Sequence, residues 1–97
     1  MKPVEFHPEA MLELESAIGY CEQCVPGLGY DLEKDVKAGL QKIQAAPLRW
    51  LAGARRTRRF LLRRLPDRIV FLEHTEKILI IAFAQGKQHP GYWHERI

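Results

Sequence analysis

The stretch Ile78-Leu79-Ile80-Ile81-Ala82-Phe83-Ala84 is apolar at every position. A strand with one face in water alternates apolar and polar residues. An unbroken run of this length, rich in β-branched isoleucine, marks a strand covered on both faces near the centre of a sheet. Everything else in the chain has to be arranged around it.

Upstream of it, Thr75-Glu76 reads as a tight turn and residues 68–74 as a second strand. Leu65-Pro66-Asp67 is the next turn, and residues 56–62 are a third strand. Residues 48–54 form a connection, in which Trp50 is the natural anchor onto the core. Before that lie two amphipathic segments. In the first, from Pro8 to about Val25, Met11, Leu14, Ile18 and Cys21 recur at spacings of three and four, with Ala10 and Ala17 beside them. Pro8 suits the first helical position, and Pro26-Gly27 stops the helix. In the second, from Leu28 or Tyr30 to Ala46, Leu32, Val36, Leu40 and Ile43 form the stripe, and Pro47 ends it. The short link implies an antiparallel helical hairpin. Val4 and Phe6 alternate with Glu5 as a first short strand, which His7-Pro8 closes.

The order strand, helix, helix, strand, strand, strand predicts a small α+β fold of the form β-α-α-β-β-β. One helical hairpin packs on a mostly antiparallel sheet. The 97 residues suit a single domain, 1–97. The tail after Ala84 is polar and aromatic, and Trp93 reads as docking it on the open face of the sheet. No apolar run is long enough to cross a membrane, and the N-terminus has no signal-peptide core. A cytoplasmic protein is expected.

The net charge of +3 is modest, but its distribution is not. Residues 48–68 carry eight arginines, and their one acid is Asp67. Strand alternation places Arg59, Leu61 and Arg63 on the face away from Phe60 and Leu62. Arg68 opens the neighbouring strand. Guanidinium groups stay charged and present forked donors that match phosphate oxygens. Such a face suits nucleic acid or an acidic protein, and it also suits a charged edge that resists aggregation. In the tail, Lys87, His89, Tyr92 and His94 can transfer protons or contact phosphate. Cys21 and Cys24 have the spacing of half a metal or redox site but lack a second pair. Core packing for Cys21 and a surface thiol for Cys24 are expected, with no metal and no cofactor. His7 and His74 read as structural.

These pieces in this order resemble the RelE/ParE superfamily, the toxins of bacterial type II toxin–antitoxin (plasmid stabilisation) systems. The resemblance rests on Phe6-His7-Pro8-Glu9-Ala10, on Gly27-Leu28-Gly29 before a helix ending at Pro47, on Pro66-Asp67-Arg68-Ile69-Val70-Phe71, and on Ile80 to Ala84 followed by Pro90-Gly91-Tyr92-Trp93. It implies a small antitoxin as partner, in a hetero-oligomer or beside a homodimer. It also implies one of two targets. RelE-like members cut messenger RNA on the ribosome, as metal-independent endoribonucleases, and ParE-like members poison DNA gyrase. Carried over by position, Arg68, His89 and Tyr92 become the catalytic candidates. Arg56, Arg59, Arg63 and Lys87 become the nucleic-acid contacts. The chain departs from the pattern at Gln88, where RelE-like sites have arginine, at Asp67, where an aromatic is usual, and at Gln85, where many relatives have histidine. Messenger-RNA cleavage is the first expectation, and gyrase inhibition or an inactivated relative is the alternative.

Overall fold

The computed structural model describes residues 1–63, 67–86 and 88–97. Five strands form one sheet in the order β1-β5-β4-β3-β2. They are β1 (Val4–Phe6), β2 (Leu51–Ala52), β3 (Arg58–Leu61), β4 (Arg68–Glu73) and β5 (Ile78–Ala84), with helices α1 (Pro8–Cys24) and α2 (Leu28–Ala45) between the first two strands. β1 runs parallel to β5, and the other pairings are antiparallel. The α+β class, the hairpin and the central place of β5 agree with the sequence. The two-residue strand β2 was not expected. It lies in the connection and extends the sheet at its far edge.

Both faces of β5 are covered. On one side Ile78, Ile80 and Phe83 join Ala10, Leu14, Ala17, Cys21, Leu32, Val36 and Ile43 in the core under the helices. On the other, Ile81, Ala82, Ala84 and Val70 pack with Trp93 from the tail, flanked by Tyr92. The register shifts between Val70 and Phe71, which pair with Ala82 and Ile80. Ile81 is therefore an extra residue, and the alternation changes sides there. This bulge lets Ile81 and Ala82 both face the tail.

The helices meet the sheet on slightly different faces from those the spacing suggested. Ala10 and Ala17 are buried and Met11 is exposed, so α1 is rotated toward its small residues. Alanine lets the helix backbone approach the sheet closely. In α2, Gly39 takes the inner position beside Leu40. A Cβ there would come within 2.9 Å of the Phe60 ring. His7 caps α1 by accepting the Glu9 N–H at Nδ1, 3.1 Å away, and Pro8 follows it. Between the helices, the Glu22 carboxylate accepts the N–H groups of Gly27 and Gly29 at 2.9 and 3.0 Å. It thereby supplies acceptors to the start of α2. Trp50 packs edge-on against Phe60 with centroids 4.7 Å apart, which anchors the connection.

β1 pairs with β5 only as far as Ile80, leaving the next part of that strand edge open. Two side chains close it. Glu13 of α1 accepts the Phe83 N–H at 3.1 Å, and Arg96 of the tail donates to the Ile81 carbonyl at 3.1 Å. The same two residues form a bidentate ion pair, with both N–O distances 2.9 Å. The tail is thus fastened to the edge of the central strand.

Candidate anion-binding cleft

β3 and β4 pair with Arg59 opposite Val70 and Leu61 opposite Arg68. Arg59 and Arg68 are therefore diagonal neighbours on one face of the sheet, a separation of roughly 7–8 Å between Cα atoms. They line a cleft of about 210 Å³ on the face away from the helices. Val70 and Trp93 also line it, and the turn at Pro90-Gly91 and His94 approach from the tail. The connection contributes Gly53, Ala54 and Thr57.

The loop leading into β3 is closed on itself. Gly53 N–H donates to the Thr57 carbonyl at 2.8 Å, and Thr57 Oγ1 donates to the Ala54 carbonyl at 2.6 Å. Arg55 and Arg56 inside it both have left-handed backbones, with φ of 56° and 65°. Such conformations are costly for residues with a Cβ, so the surrounding bonds must hold them. Arg55 also donates to the His94 carbonyl at 3.3 Å, linking this loop to the tail across the cleft.

The electrostatics are one-sided. No carboxylate lines the cleft among the described residues. Arg68 donates only a long bond, 3.4 Å, to the Gln85 carbonyl. Arg58 is different, because its guanidinium is held by the Trp50 carbonyl at 2.8 Å. Among the described residues lining the cleft, Arg59 and Arg68 are therefore the two guanidinium groups without a short hydrogen bond, and their donors suit an incoming anion.

No protein-family profile matches the chain, and no curated protein does. Among solved structures, a chain titled "Chromosomal ParDE TA system from P. aeruginosa" is similar over 88% of this chain and 96% of that one, with TM-score 0.75 and 17% sequence identity. The two chains share a fold.

Within this fold the sequence-derived site residues separate. Arg59 and Arg68 meet in the cleft. His89 is exposed and is not among the residues lining it. Tyr92 does not line the cleft either, and the Arg96 guanidinium lies 5.1 Å from its ring centroid. Its hydroxyl is buried without a well-formed hydrogen bond. Burial first, and then the neighbouring Glu13 carboxylate, push the Tyr92 pKa up, so the phenol holds its proton. Arg56 belongs to the strained turn and not to the strand expected over 56–62. Arg63 does not share a face with Arg59. β3 ends at Leu61, so the alternation stops there, and Arg63 lies beside Asp35 and Lys42 of α2. Lys87 lies outside the described residues.

Cys21 is buried in the core and Cys24 is exposed, both as free thiols. Burial raises the Cys21 pKa. Among the described residues no group of three or more His, Cys, Asp or Glu side chains is arranged to hold a metal, and no helix is long and apolar enough to cross a membrane. His94, one of the tail's proton-transfer groups that the family resemblance did not single out, does line the cleft. Its presence in the tail was visible, but the turn at Pro90-Gly91 that brings it to the cleft has no signal in strand or helix periodicity.

Proposed function

We propose that this chain is the toxin of a type II toxin–antitoxin pair, held inactive by a small acidic antitoxin, and that it arrests growth by cutting messenger RNA on the ribosome. What carries the reading is the convergence of Arg59 and Arg68 on a cleft with no carboxylate among its described lining residues. Two forked cations so placed can grip the oxygens of one phosphodiester and stabilise the charge that develops on it during cleavage. The likeness to a chain of a ParDE system supports the toxin–antitoxin assignment.

A second reading, inhibition of DNA gyrase without chemistry, is favoured by the same ParDE likeness and by the positions of His89 and Tyr92. Neither His89 nor Tyr92, two of the proton-transfer groups that a RelE-like site would use here, lines the cleft, and the Tyr92 hydroxyl is buried. In that case the cleft would be a contact surface for an acidic stretch of the target.

Induction of the chain without an antitoxin separates the two. Transcript ends are mapped in the arrested cells, and plasmid supercoiling is measured in parallel with purified gyrase. New ends within translated messages, lost in an Arg59→Ala/Arg68→Ala double variant, are the expected result. Arrest with intact transcripts and inhibited supercoiling would overturn it in favour of the second reading.

A further inference from the structure

We propose that Cys21 and Cys24 are a redox site, forming a reversible disulfide when the chain meets a hydroperoxide, and that this bond loosens the link between the two helices. The pair belongs to α1, across the sheet from the arginine cleft, so the inference does not depend on what that cleft binds.

Spacing, position and surroundings all single out this pair. On a helix with a rise of about 1.5 Å per residue and a radius of about 2.3 Å, residues three apart have Cα atoms about 5 Å apart. That lies inside the range of about 4.4–6.8 Å that a disulfide spans. The Cβ atoms, about 5–6 Å apart on a regular helix, must close to about 3.5–4.5 Å. The position makes this possible. Cys24 is the last residue of α1, and Val25 after it is already extended, with φ of −144° and ψ of 119°. The Val25 N–H donates to the Cys21 carbonyl at 3.0 Å and closes that turn. Unwinding one terminal turn brings the sulfurs together, whereas the same spacing inside a helix would break bonds on both sides. The two thiols also differ in exposure. Cys24 is open to solvent, and Cys21 is buried in the core. Burial first, and then the nearby Asp67 carboxylate, hold the proton on Cys21. Cys24 therefore meets an oxidant first, and Cys21 is the neighbour that resolves it. The Tyr20 hydroxyl lies beside the Cys24 sulfur and can donate to the oxygen that this sulfur takes up.

The reaction consumes one hydroperoxide. The Cys24 sulfur attacks one peroxide oxygen, the O–O bond breaks, and its electron pair leaves on the other oxygen. That oxygen takes the Cys24 thiol proton, giving an alcohol, or water from hydrogen peroxide. Cys24 is then a sulfenic acid. The Cys21 sulfur attacks the Cys24 sulfur and displaces its hydroxyl, which leaves as water with the Cys21 proton. Two thiols are oxidised to one disulfide, and the peroxide is reduced by two electrons. Glu22 sits inside the loop that this bond closes. Its carboxylate accepts the Gly27 and Gly29 N–H groups at 2.9 and 3.0 Å, joining the end of α1 to the start of α2. Unwinding the turn moves Glu22 and withdraws that acceptor. Gly29 also packs against α1, where a Cβ would lie 2.7 Å from the Ile18 carbonyl oxygen. The disulfide thus forms against strain, and strained exposed disulfides are the ones that thiols readily reduce.

The test is titration of the full-length chain with hydrogen peroxide, read by maleimide labelling of free thiols after denaturation. The wild-type chain is expected to lose both thiols together, to stay monomeric on a non-reducing gel, and to regain both with reduced glutathione. Cys24→Ser, a change at an exposed position, is expected to keep its Cys21 thiol under the same treatment. Cys21→Ala is expected to stop at a Cys24 sulfenic acid that dimedone traps, and the wild-type and Cys24→Ser results decide the point should this core variant not fold. Hydrogen exchange followed by NMR reads the consequence. The Gly27 and Gly29 amides are expected to exchange about five- to tenfold faster in the oxidised chain, the factor for one net hydrogen bond lost at each. The amides of β4 and β5 should not change. A covalent dimer through Cys24, or oxidised Cys24 beside a free Cys21 thiol, would overturn the disulfide. A disulfide that leaves exchange at Gly27 and Gly29 unaltered would overturn the loosening of the hairpin.

Discussion

Glu13→Ala removes several interactions at the edge of β5 at once, and the structure sets the size of the loss. The Phe83 N–H loses its acceptor, on a residue that is 1% exposed. Arg96 loses a bidentate partner while its side chain stays 14% exposed. A buried donor left without a partner costs about 1–3 kcal/mol, and the stranded guanidinium adds to this, so a total of about 2–4 kcal/mol is expected. Glu13→Gln keeps an oxygen for Phe83 and should cost less, about 1–2 kcal/mol. Urea unfolding followed by tryptophan fluorescence reads both variants. At a slope of about 1–1.5 kcal/mol per molar, the alanine variant's midpoint should fall by roughly 2 M. The dependence on pH is a second signature. Burial pushes the Glu13 carboxyl up, but the bonds from Arg96, the Tyr92 hydroxyl nearby and the Phe83 N–H outweigh it and hold it below its ordinary 4.5. A carboxyl with a depressed folded-state pKa stabilises fully above its unfolded value. This contribution is therefore whole above pH 4.5 and is lost as acid protonates the group below that. Glu13→Gln should lack that part of the acid limb. An alanine midpoint equal to wild type, or a Glu13→Gln/Arg96→Met cycle with no coupling, would refute the idea that these residues fasten the tail.

Other positions give sharper yes-or-no outcomes. Gly29→Ala should destabilise by about 1–3 kcal/mol, because a Cβ there would lie 2.7 Å from the Ile18 carbonyl oxygen where the two helices cross; a neutral effect on thermal unfolding would contradict that crossing. Trp93→Ala should cost about 3–5 kcal/mol by emptying the layer over Ile81 and Ala84, and it should raise binding of an apolar dye. Arg59→Ala and Arg68→Ala should each leave unfolding within about 0.5 kcal/mol of wild type while reducing toxicity on induction, since neither side chain forms an ion pair among the described residues.

The large elements were legible because their apolar residues repeat with the period of the structure they form. The stripe from Leu32 to Ile43 and the run from Ile78 to Ala84 each bury a face that the sequence displays. Trp50 and Trp93 could be placed against apolar layers because large rings seldom remain exposed. What the sequence did not display was short or non-local. Leu51–Ala52 has too few residues to show alternation, and its strand exists only through its partner Arg58–Arg59. The extra residue at Ile81 changes sides inside a run that is apolar on both, so no periodicity records it. Arg63 was placed with Arg59 by extending an alternation past the end of its strand. The pairing of Glu13 with Arg96 joins opposite ends of the chain, and the arrival of His94 at the arginine cleft joins the tail to arginines 26 or more residues before it. They depend on tertiary approach that local patterns do not encode.

The position of β5 also governs when the molecule can come into being. Its neighbours in the sheet are β1, the first strand, and β4, which lies just before it in sequence. While the chain is being synthesised, the apolar stripes of α1 and α2 have no central strand to cover them until Ile78–Ala84 has emerged. Contacts between residues so far apart in sequence are slow to form and stabilise nothing until they do. The tail that brings Trp93, His94 and Arg96 follows later still. A growing polypeptide therefore carries neither the closed core nor the assembled cleft until translation has passed its final strand.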